Sequence, residues 1–419
     1  MLTRSVAEAA FRDAISACDP QHLVSAAMPE GAVVGIAIGK AAFAMARGAG
    51  PVMRGLAVTT ADDGLPLPEG WRRIFAGHPI IDARSLAAAR LVMNLVTSAQ
   101  PDELVLALIS GGASALVEWP RVPLEQLQRV LARVMAAGAP IDELNAVRGA
   151  LSAIKSGRLA VKSRAPIVTL ATSDAIGDSL AVIGSGPTIG PWLDGDRELG
   201  RYHEAQRVRA RAVAERCGVA AADLVALATP CAPQQVDRSD RADVIAPIAG
   251  FARAAATALA ARGVVLEVAA EPLRGDTAAV AARLAGFTGV AWGEPTVVLP
   301  AAAGEGGRAQ QLALELARHL RGGPRAALVI GSDGIDGPAP TGRPAPAGAF
   351  VDGTTWDAVI AAGLDPAAAL ARADAGPALA RVGALVITGA TGINHADLVV
   401  IARSGEPDRA APPKGGAEC

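Results

Sequence analysis

Short apolar runs alternate with segments of helical periodicity along the whole chain. The runs at 32–38 (AVVGIAI) and 104–109 (LVLALI) contain no polar side chain and are followed by glycine-containing sequences. Runs of this length predict strands that are buried on both faces. In the segment 82–99, apolar residues recur at the spacing of one helix face. The alternation predicts an α/β fold with parallel sheets and helices on both faces.

The same patterns recur through the rest of the chain. We expect further strands at 56–60, near 74, at 166–171, near 244, and at 264–268, 296–299, 326–330 and 384–387. Further helices are expected at 3–28, 123–137, 142–163, 202–217, 250–262, 276–286, 308–320, 366–372 and 375–381. The proline-containing stretch 338–347 and the polar tail beyond Ser404 are expected to be irregular.

A chain of 419 residues is too long for one ordinary core, so we expect two domains. The segment 229–243 is polar and contains two prolines, which predicts that the domains join there. We place the first domain at 1–235 and the second at 236–419.

Composition narrows the range of functions. Hydrophobic residues make up 51% of the chain and charged residues 19%, which is typical of a globular protein. The net charge is −2 and aromatic residues make up 3%, so we expect no nucleic-acid partner and no membrane partner. No apolar run is long enough for a transmembrane helix. The four cysteines form no CxxC pair, which favours a reducing, cytoplasmic location. A homodimer is compatible with this composition.

The loop after the strand at 104–109 is the first candidate for chemistry. The sequence Ser110-Gly111-Gly112-Ala113-Ser114 combines two hydroxyls with two glycines, whose backbone can turn sharply and approach a ligand. The helix that follows would direct its positive end to the same place, which suits an anion. We interpret the loop as a phosphate cradle. The alternative is a tight strand–helix connection that needs glycine for packing.

Two cations stand at predicted helix starts, where they oppose the helix dipole. Lys40 follows Gly39 at the end of the first strand, and Arg308 follows the sequence GEGG. Each placement costs roughly 0.3–1 kcal/mol, and a bound anion would reverse that penalty. Both cations are therefore candidates for binding phosphate or carboxylate, with a surface role as the alternative. The Lys40 loop is not a Walker A motif, because Ala41 stands where a magnesium-binding Ser or Thr is required.

Acidic residues follow two other predicted strands. Asp174 and Asp178 come after the strand at 166–171, and Asp333 and Asp336 follow a later strand. Ligands of open α/β sheets bind beyond the carboxyl ends of the strands, so these carboxylates could hold magnesium or accept a hydroxyl proton. Helix capping and an ordinary Asp-Gly turn are the alternatives.

The predicted helix at 142–163 carries two polar pairs, each at one-turn spacing. Asn145 and Arg148 form one pair, and Lys155 and Arg158 form the other. We take Asn145 and Arg148 as candidates for substrate binding. A solvated helix face is the alternative for both pairs.

Several enzyme classes lack their signatures in this chain. The GxSxG elbow of a serine hydrolase is absent, and so is the GxGxxG of a nicotinamide-dependent reductase. The histidines are dispersed and form no HExxH. His78, which precedes Pro79, is expected to be structural.

Taken together, the motifs resemble those of a known family. They are GKAAFAMA, HPIIDARS, SGGASAL, NAVRGALSAIKSGRLA, TSDAIGDSLAVIGSGPT, GEPTVVL, GEGGRAQQLAL, SDGIDGP and TGATGINHADL. These pieces cover Gly39 to Leu398 in the family's order. The chain resembles the glycerate 2-kinases whose C-terminal half is a MOFRL domain, many of which carry the provisional name hydroxypyruvate reductase.

The resemblance implies a fold and an activity. It implies an N-terminal Rossmann-like doubly wound sheet and a smaller C-terminal α/β domain, the MOFRL domain. The implied reaction is ATP-dependent phosphorylation of the 2-hydroxyl of D-glycerate, a small-molecule substrate, with ATP and Mg²⁺ as cofactors. The family's GKA lysine falls on Lys40 and its GGR arginine on Arg308, as the catalytic pair.

The other site assignments combine the motifs with the chemistry above. The residues assigned to phosphate or nucleotide are Gly39, Ser110, Gly111, Gly112 and Ser114. Asp174 is assigned to orient or deprotonate the reacting hydroxyl. The remaining assignments are Asn145 and Arg148 to substrate, and Asp178 and Asp333 to the metal.

Several motifs depart from the family pattern. The family's IKGGRLA is IKSGRLA here, and the loop after SDGIDGP is longer and rich in proline. Ala309 and Gln311 replace the Asn and Glu of the family's GGRNQE, and Ile393 and Ala396 replace polar residues of TGPTGTNVNDL. These changes bear on the substrate, and a longer sugar acid is an alternative to glycerate. Two other functions stay open as alternatives: an NAD(P)H-dependent hydroxypyruvate reductase, and a catalytically silent protein that binds a nucleotide or sugar phosphate.

Overall fold

The computed structural model describes residues 1–338, 344–393 and 395–405, apart from the side chains of residues 32, 33 and 141. The chain forms two compact units. One is Asp19–Ile248, and the other combines Met1–Cys18 with the chain from Ala249 onward. Of the stretches expected to be irregular, residues 339–343 and the tail after residue 405 lie outside the described residues.

The strands and helices of the described residues are numbered in chain order. The strands are β1 (Ala32–Ile38), β2 (Arg54–Thr59), β3 (Trp71–Phe75), β4 (Leu104–Ile109), β5 (Ile167–Thr172), β6 (Arg241–Ala246), β7 (Leu273–Asp276), β8 (Gly289–Thr296), β9 (Arg325–Gly331), β10 (Gly348–Asp352), β11 (Leu385–Val386) and β12 (Asp397–Arg403). The helices are α1 (Arg4–Ala17), α2 (Pro20–Ala27), α3 (Ala42–Ala49), α4 (Ala83–Ser98), α5 (Ala113–Leu116), α6 (Leu124–Ala136), α7 (Ile141–Leu151), α8 (Leu199–Arg216), α9 (Gly250–Ala260), α10 (Thr277–Leu284), α11 (Arg308–Leu320), α12 (Thr355–Ala361), α13 (Pro366–Ala371) and α14 (Ala375–Arg381).

The sheet of the unit Asp19–Ile248 has the strand order β3-β2-β1-β4-β5-β6, and all of its pairings are parallel. This is the strand order of a Rossmann fold. The order reverses between β1 and β4, which lie side by side. The expected Rossmann-like doubly wound sheet is therefore confirmed.

Alternate residues of β4 face opposite layers, which explains why the strand is apolar throughout. Val105, Ala107 and Ile109 belong to one buried cluster, which also contains apolar residues of α4. Leu106 and Leu108 belong to another, with apolar residues of α3. Helices thus cover both faces of the sheet.

The sheet of the other unit is mixed. Its order is β11-β10-β9-β12-β8-β7. Among the described strands of this sheet, only β7 and β8 pair in parallel. The other four pairings of the sheet are antiparallel. The expectation of parallel strands therefore holds in the first sheet and not in the second. Parallel neighbours require a long crossover connection, which is usually a helix. No described helix lies between β9 and β10, which agrees with their antiparallel pairing.

Four expected elements differ from the structure. The strand expected at 296–299 lies earlier in the chain, as β8 (Gly289–Thr296). The helix expected at 3–28 is divided into α1 and α2, because Asp19 caps a new helix that begins at Pro20. The helix expected at 142–163 ends at Leu151. The strand expected at 264–268 is absent from the described residues except for a single bridge from Val268, and β7 forms the edge strand instead.

The two units divide the chain differently from the expected domains 1–235 and 236–419. The strand β6 lies beyond residue 235, yet it pairs with β5 in the first sheet. The helix α1 packs against α9 in the second unit. The polar segment 229–243 is thus a connection that leads into the edge strand of the first sheet. In the described ranges, no helix has both the length and the apolar character needed to cross a membrane.

Candidate active site

Two loops meet where the strand order of the first sheet reverses. Ile38 and Ile109, the last residues of β1 and β4, are partners in the parallel ladder. Beyond them, the backbone N–H of Lys40 donates to the carbonyl of Gly111 at 2.8 Å. The N–H of Ala41 donates to Oγ of Ser110 at 3.1 Å. The GKA loop and the SGG loop are therefore bonded directly to each other at the position where open α/β sheets bind ligands.

Gly39 makes this close approach possible. Its φ is +135°, and a Cβ there would lie 2.6 Å from the carbonyl oxygen of Ser110. Both the conformation and the contact exclude a larger side chain. The glycine predicted to belong to the phosphate site is thus required for bringing the two loops together.

The glycines of the second loop present free backbone donors. The N–H groups of Gly111 and Gly112 donate no hydrogen bond to any other group in the described part of the chain. Gly112 has a φ of +87° and directly precedes α5. Unpaired N–H groups in a glycine turn form a concave donor surface that suits an anion. This is the geometry expected of the predicted cradle.

Asp174 lies against the same loop. A Cβ on Gly111 would overlap Oδ2 of Asp174 and would lie 2.8 Å from its Cγ. The carboxylate therefore stands beside the free N–H donors, as its assignment to the reacting hydroxyl requires. Asp178 is placed differently, because its Oδ1 accepts a hydrogen bond from the N–H of Ile248 at 2.7 Å and its φ is +51°. One oxygen of Asp178 thus holds a backbone turn.

Lys40 and His78 flank Gly112. A Cβ on Gly112 would lie 3.4 Å from Cγ of Lys40 and 3.2 Å from Nε2 of His78. Lys40 is exposed and makes no ion pair with the described residues. Burial lowers the pKa of His78, and the neighbouring charges of Lys40 and Arg148 lower it further. These effects favour the neutral form of His78, which was expected to be structural and lies at the edge of the loop near Lys40 and Arg148.

The two substrate candidates on α7 occupy this region. Arg148 keeps a buried Nε that has no hydrogen-bond partner among the described residues, and burial lowers its pKa although Glu118 opposes that effect. Asn145 accepts a hydrogen bond at Oδ1 from Oγ of Ser185, at 3.1 Å. Oγ of Ser185 in turn lies 2.8 Å from Oγ of Ser114. Ser185 has one hydroxyl proton, which goes to Asn145, so Ser114 is the donor in the second bond. Asn145 and the predicted loop are thus joined through a serine that sequence reasoning missed.

Lys155 is buried, which rules out the alternative of a solvated face for this residue. Its Nζ donates to the carbonyl of Ser114 at 2.8 Å and lies 3.2 Å from Oε2 of Glu118. The helix ends at Leu151, so Lys155 does not continue the face of Asn145. Arg158 is also largely buried and donates to the carbonyl of Gly149 at 2.8 Å. Lys155 therefore supports the segment that follows the SGG loop.

Arg308 begins α11 in the second unit and is held by two carboxylates. Its Nε donates to Oδ2 of Asp397 at 2.7 Å, and Nη2 donates to Oδ1 of Asp397 at 3.2 Å and to Oε1 of Glu294 at 3.1 Å. Nη1 has no hydrogen bond to the described residues, and the side chain is 38% exposed. Arg308 is thus fixed on one side and keeps one nitrogen available for a ligand.

Buried carboxylates surround this arginine. Burial raises the pKa of Asp397 to about 7, against the lowering effect of Arg308, and the charges of Asp336 and Glu294 raise it as well. Asp336 accepts hydrogen bonds from the N–H groups of Ala309 and Gln310 at 3.0 and 2.8 Å, so it caps the start of α11. Burial also raises the pKa of Asp336, although these bonds oppose the shift. The helix terminus is therefore already satisfied by a side chain of the protein.

Arg308 lines a cavity of about 440 Å³ in the same unit. Asp333, Asp336 and Asp397 contribute carboxylates to its wall, and Ser332 and Gln311 contribute neutral polar groups. In the described residues, no cluster of three or more His, Cys, Asp or Glu side chains could hold a metal. A magnesium ion that shares its coordination with phosphates needs only one or two carboxylates. Asp333 borders Gly331 and supplies a carboxylate that fits such an ion, whereas both oxygens of Asp397 are held by Arg308.

Sequence reasoning missed several residues of the two sites, although some lay in motifs it had used. Asp397 lies in TGATGINHADL and Glu294 lies in GEPTVVL. Apart from their negative charge, nothing in the sequence indicated a role for them. His78 was set aside because one histidine beside proline carries little information. Nothing along the chain indicated that Ser185 would connect two other site residues.

The first sheet has the Rossmann strand order and carries a lysine and a glycine loop where that order reverses, the place at which proteins of this class bind phosphorylated ligands. The sequence matches the family model described as a domain of unknown function, DUF4147, over residues 6–209, and the MOFRL family model over residues 288–397. A D-glycerate 2-kinase from Thermotoga maritima is 32% identical, covering 93% of this chain and 95% of that protein.

Two further comparisons agree. A relative from Agrobacterium vitis that carries the provisional name hydroxypyruvate reductase is 35% identical, covering 88% of this chain and 99% of its own. A crystal structure of a glycerate kinase from Thermotoga maritima aligns with a TM-score of 0.81 at 28% identity, covering 96% of this chain and 99% of that one. The chain belongs to the glycerate 2-kinase family, whose C-terminal part is a MOFRL domain.

Proposed function

We propose that the protein transfers the γ-phosphoryl group of ATP to the 2-hydroxyl of D-glycerate or of a closely related hydroxy acid. Its relatives named glycerate 2-kinase support this activity. The observation that carries the proposal is the convergence of Lys40, the free N–H groups of Gly111 and Gly112, and the carboxylate of Asp174 at one point of the first sheet.

Each of these groups has a role in phosphoryl transfer, which depends on positioning and on the stabilisation of charge. The N–H groups of Gly111 and Gly112 bind phosphate oxygens. Lys40 neutralises negative charge on the transferring group. Asp174 lies beside these donors, where it orients the hydroxyl of the substrate and accepts its proton.

The remaining cations bind the other anionic groups. Arg308 offers Nη1 to a ligand oxygen while Asp397 and Glu294 hold its other nitrogens. Arg148 offers its unpaired Nε to the substrate carboxylate, with Asn145 beside it. A magnesium ion bound at Asp333 would neutralise charge on a bound phosphate. For Asp178, we propose a contact with magnesium through the oxygen that does not hold Ile248.

The proposal also covers the location of the protein. Cys18, Cys217 and Cys231 are free thiols, which fits a reducing cytoplasm. The homodimer that the composition allows stays a prediction.

Three assays on the purified protein test the activity. ADP release is measured across a panel of hydroxy acids with ATP and magnesium, NADH oxidation is measured with hydroxypyruvate, and nucleotide binding is measured by calorimetry. We expect ADP release with D-glycerate and no NADH oxidation. NADH oxidation without ATP would establish a reductase, and nucleotide binding without ADP release would establish a silent binding protein. Either result would refute the proposed kinase.

A further inference from the structure

The side chain of Gln311 is only partly satisfied. This residue lies in the second turn of α11 and is 6% exposed. Its Nε2 donates to the carbonyl of Leu370 at 3.0 Å. Its Oε1 is buried and accepts no hydrogen bond from the described residues. A buried acceptor without a donor costs about 1–3 kcal/mol, so such a group calls for an explanation.

The orientation of the amide is fixed by chemistry. The carbonyl of Leu370 can only accept a hydrogen bond, so the amide nitrogen must face it. The opposite end of the amide, Oε1, is therefore the group left over. Gln311 lines the same cavity as Arg308. A donor from a ligand in this cavity would give Oε1 the partner that the described residues do not supply.

The other polar groups of the cavity indicate what kind of donor it is. Asp333, Asp336 and Asp397 are acceptors, and Arg308 is the cation that a ligand anion would meet. A phosphate or carboxylate oxygen brings no donor to Oε1, whereas a hydroxyl does. We propose that Oε1 of Gln311 accepts a hydrogen bond from a hydroxyl of the bound ligand, and that Gln311 thereby selects hydroxyl-bearing ligands over their deoxy analogues. This inference rests on the proposed function, because it takes the ligand to be the hydroxy acid or the nucleotide.

The hydroxyl belongs either to the hydroxy acid or to the ribose of the nucleotide, and the test has one arm for each. Binding is measured by calorimetry for D-glycerate against D-lactate, which lacks the 3-hydroxyl, and for ATP against 2′-deoxy-ATP and 3′-deoxy-ATP, all with magnesium. In the wild type, one arm should show a loss of about ten-fold or more when its hydroxyl is removed. In Gln311→Met, which has no acceptor at this position, the ratio in that arm should fall to about one.

Two further variants separate recognition from folding. Gln311→Glu keeps an acceptor and should keep the discrimination. Gln128→Met is the matched control, because Nε2 of Gln128 also donates to a backbone carbonyl, that of Ile81, at 2.7 Å, outside the cavity. It should bind every ligand as the wild type does. Without ligand, Gln311→Met should melt at or above the wild-type temperature, since a buried unpaired acceptor has been removed.

The outcomes distinguish this inference from the proposed function. Discrimination that is lost in Gln311→Met without any turnover of glycerate would overturn the kinase and support the role of Gln311. Turnover of glycerate with the same ratios in Gln311→Met as in the wild type would support the kinase and overturn the role of Gln311. The absence of discrimination in both wild-type arms would also overturn it, and so would a lower melting temperature combined with unchanged ratios.

Discussion

Arg308 and Asp397 form a two-point ion pair in which Nε and Nη2 of the guanidinium donate to the two carboxylate oxygens at 2.7 and 3.2 Å. Asp397 is 4% exposed, whereas Arg308 is 38% exposed. The carboxylate is therefore the buried anchor, and the arginine is the group that it presents to the cavity. A guanidinium group held by two hydrogen bonds to one carboxylate keeps its orientation before any ligand binds.

This burial predicts how stability depends on pH. The pKa of Asp397 is raised to about 7 in the folded protein, above its usual value of 3.8. Between these two values the unfolded chain loses this proton while the folded chain keeps it. Stability should therefore fall as pH rises through this range, by about 1.4 kcal/mol for each unit of pKa difference.

The variant Asp397→Asn isolates this contribution, because the amide does not titrate. The free energy of unfolding is measured in urea between pH 5 and pH 8. It should fall less steeply with rising pH in the variant than in the wild type. Asp357→Asn is the control, since Asp357 lies in an exposed ion pair with Arg321. Equal slopes in Asp397→Asn and wild type would contradict the burial effect.

Removal of the Lys40 charge should abolish most of the activity and leave the fold intact. Lys40 is exposed and makes no ion pair within the described residues, so Lys40→Ala should have the wild-type melting temperature. A lost electrostatic contact to the transition state should lower kcat by about 100-fold or more. Lys162→Ala, at another exposed lysine of the same unit, should keep full activity. A rate within two-fold of the wild type for Lys40→Ala would remove Lys40 from the mechanism.

A methyl group on Gly111 should displace Asp174. The new Cβ would overlap Oδ2 of Asp174, and the carboxylate end of that side chain can rotate away. We expect Gly111→Ala to melt within a few degrees of the wild type and to lose about 100-fold in kcat. Gly286→Ala, where a Cβ meets nothing within 4 Å, is the control for the substitution itself. Full activity in Gly111→Ala would show that the position of Asp174 is not needed.

The buried ion pair of Lys155 and Glu118 should be sensitive to loss of one partner. Both side chains are 1% exposed, so Lys155→Met removes the cation in direct contact with Glu118 and leaves only the neighbouring charge of Arg148. Such a loss costs about 3–5 kcal/mol, measured as the free energy of unfolding in urea. The double variant Lys155→Met with Glu118→Gln should recover most of it. If the double variant is no more stable than the single one, the unpaired charge is not the cause.

The loops at the ends of β1 and β4 could be predicted because their signals are local. An apolar run followed by Gly39-Lys40, or by Ser110 and two glycines, is visible in a window of ten residues. The order of the Rossmann sheet then brings the two ends together. The same local signal marked Asp174, which stands two residues beyond the end of β5.

The contacts that complete the second site could not be predicted in this way. Asp397 is far from Arg308 in the sequence, and only the antiparallel pairing of β12 with β8 and β9 places it there. Strand direction is not encoded in hydrophobic periodicity, so the mixed sheet was not expected. The helix before Lys155 ends where the backbone of Ser152 becomes extended, with φ −107° and ψ 145°. That conformation arises from tertiary packing and leaves no pattern in the sequence.

The central claim is that this chain phosphorylates the 2-hydroxyl of a hydroxy acid, and the position of the new phosphate tests it most directly. The purified protein is incubated with ATP, magnesium and D-glycerate, and the products are followed by ³¹P nuclear magnetic resonance. The proposed mechanism predicts ADP and 2-phosphoglycerate in equal amounts. A phosphate on the 3-hydroxyl, or no phosphorylated acid while ATP stays intact, would contradict it.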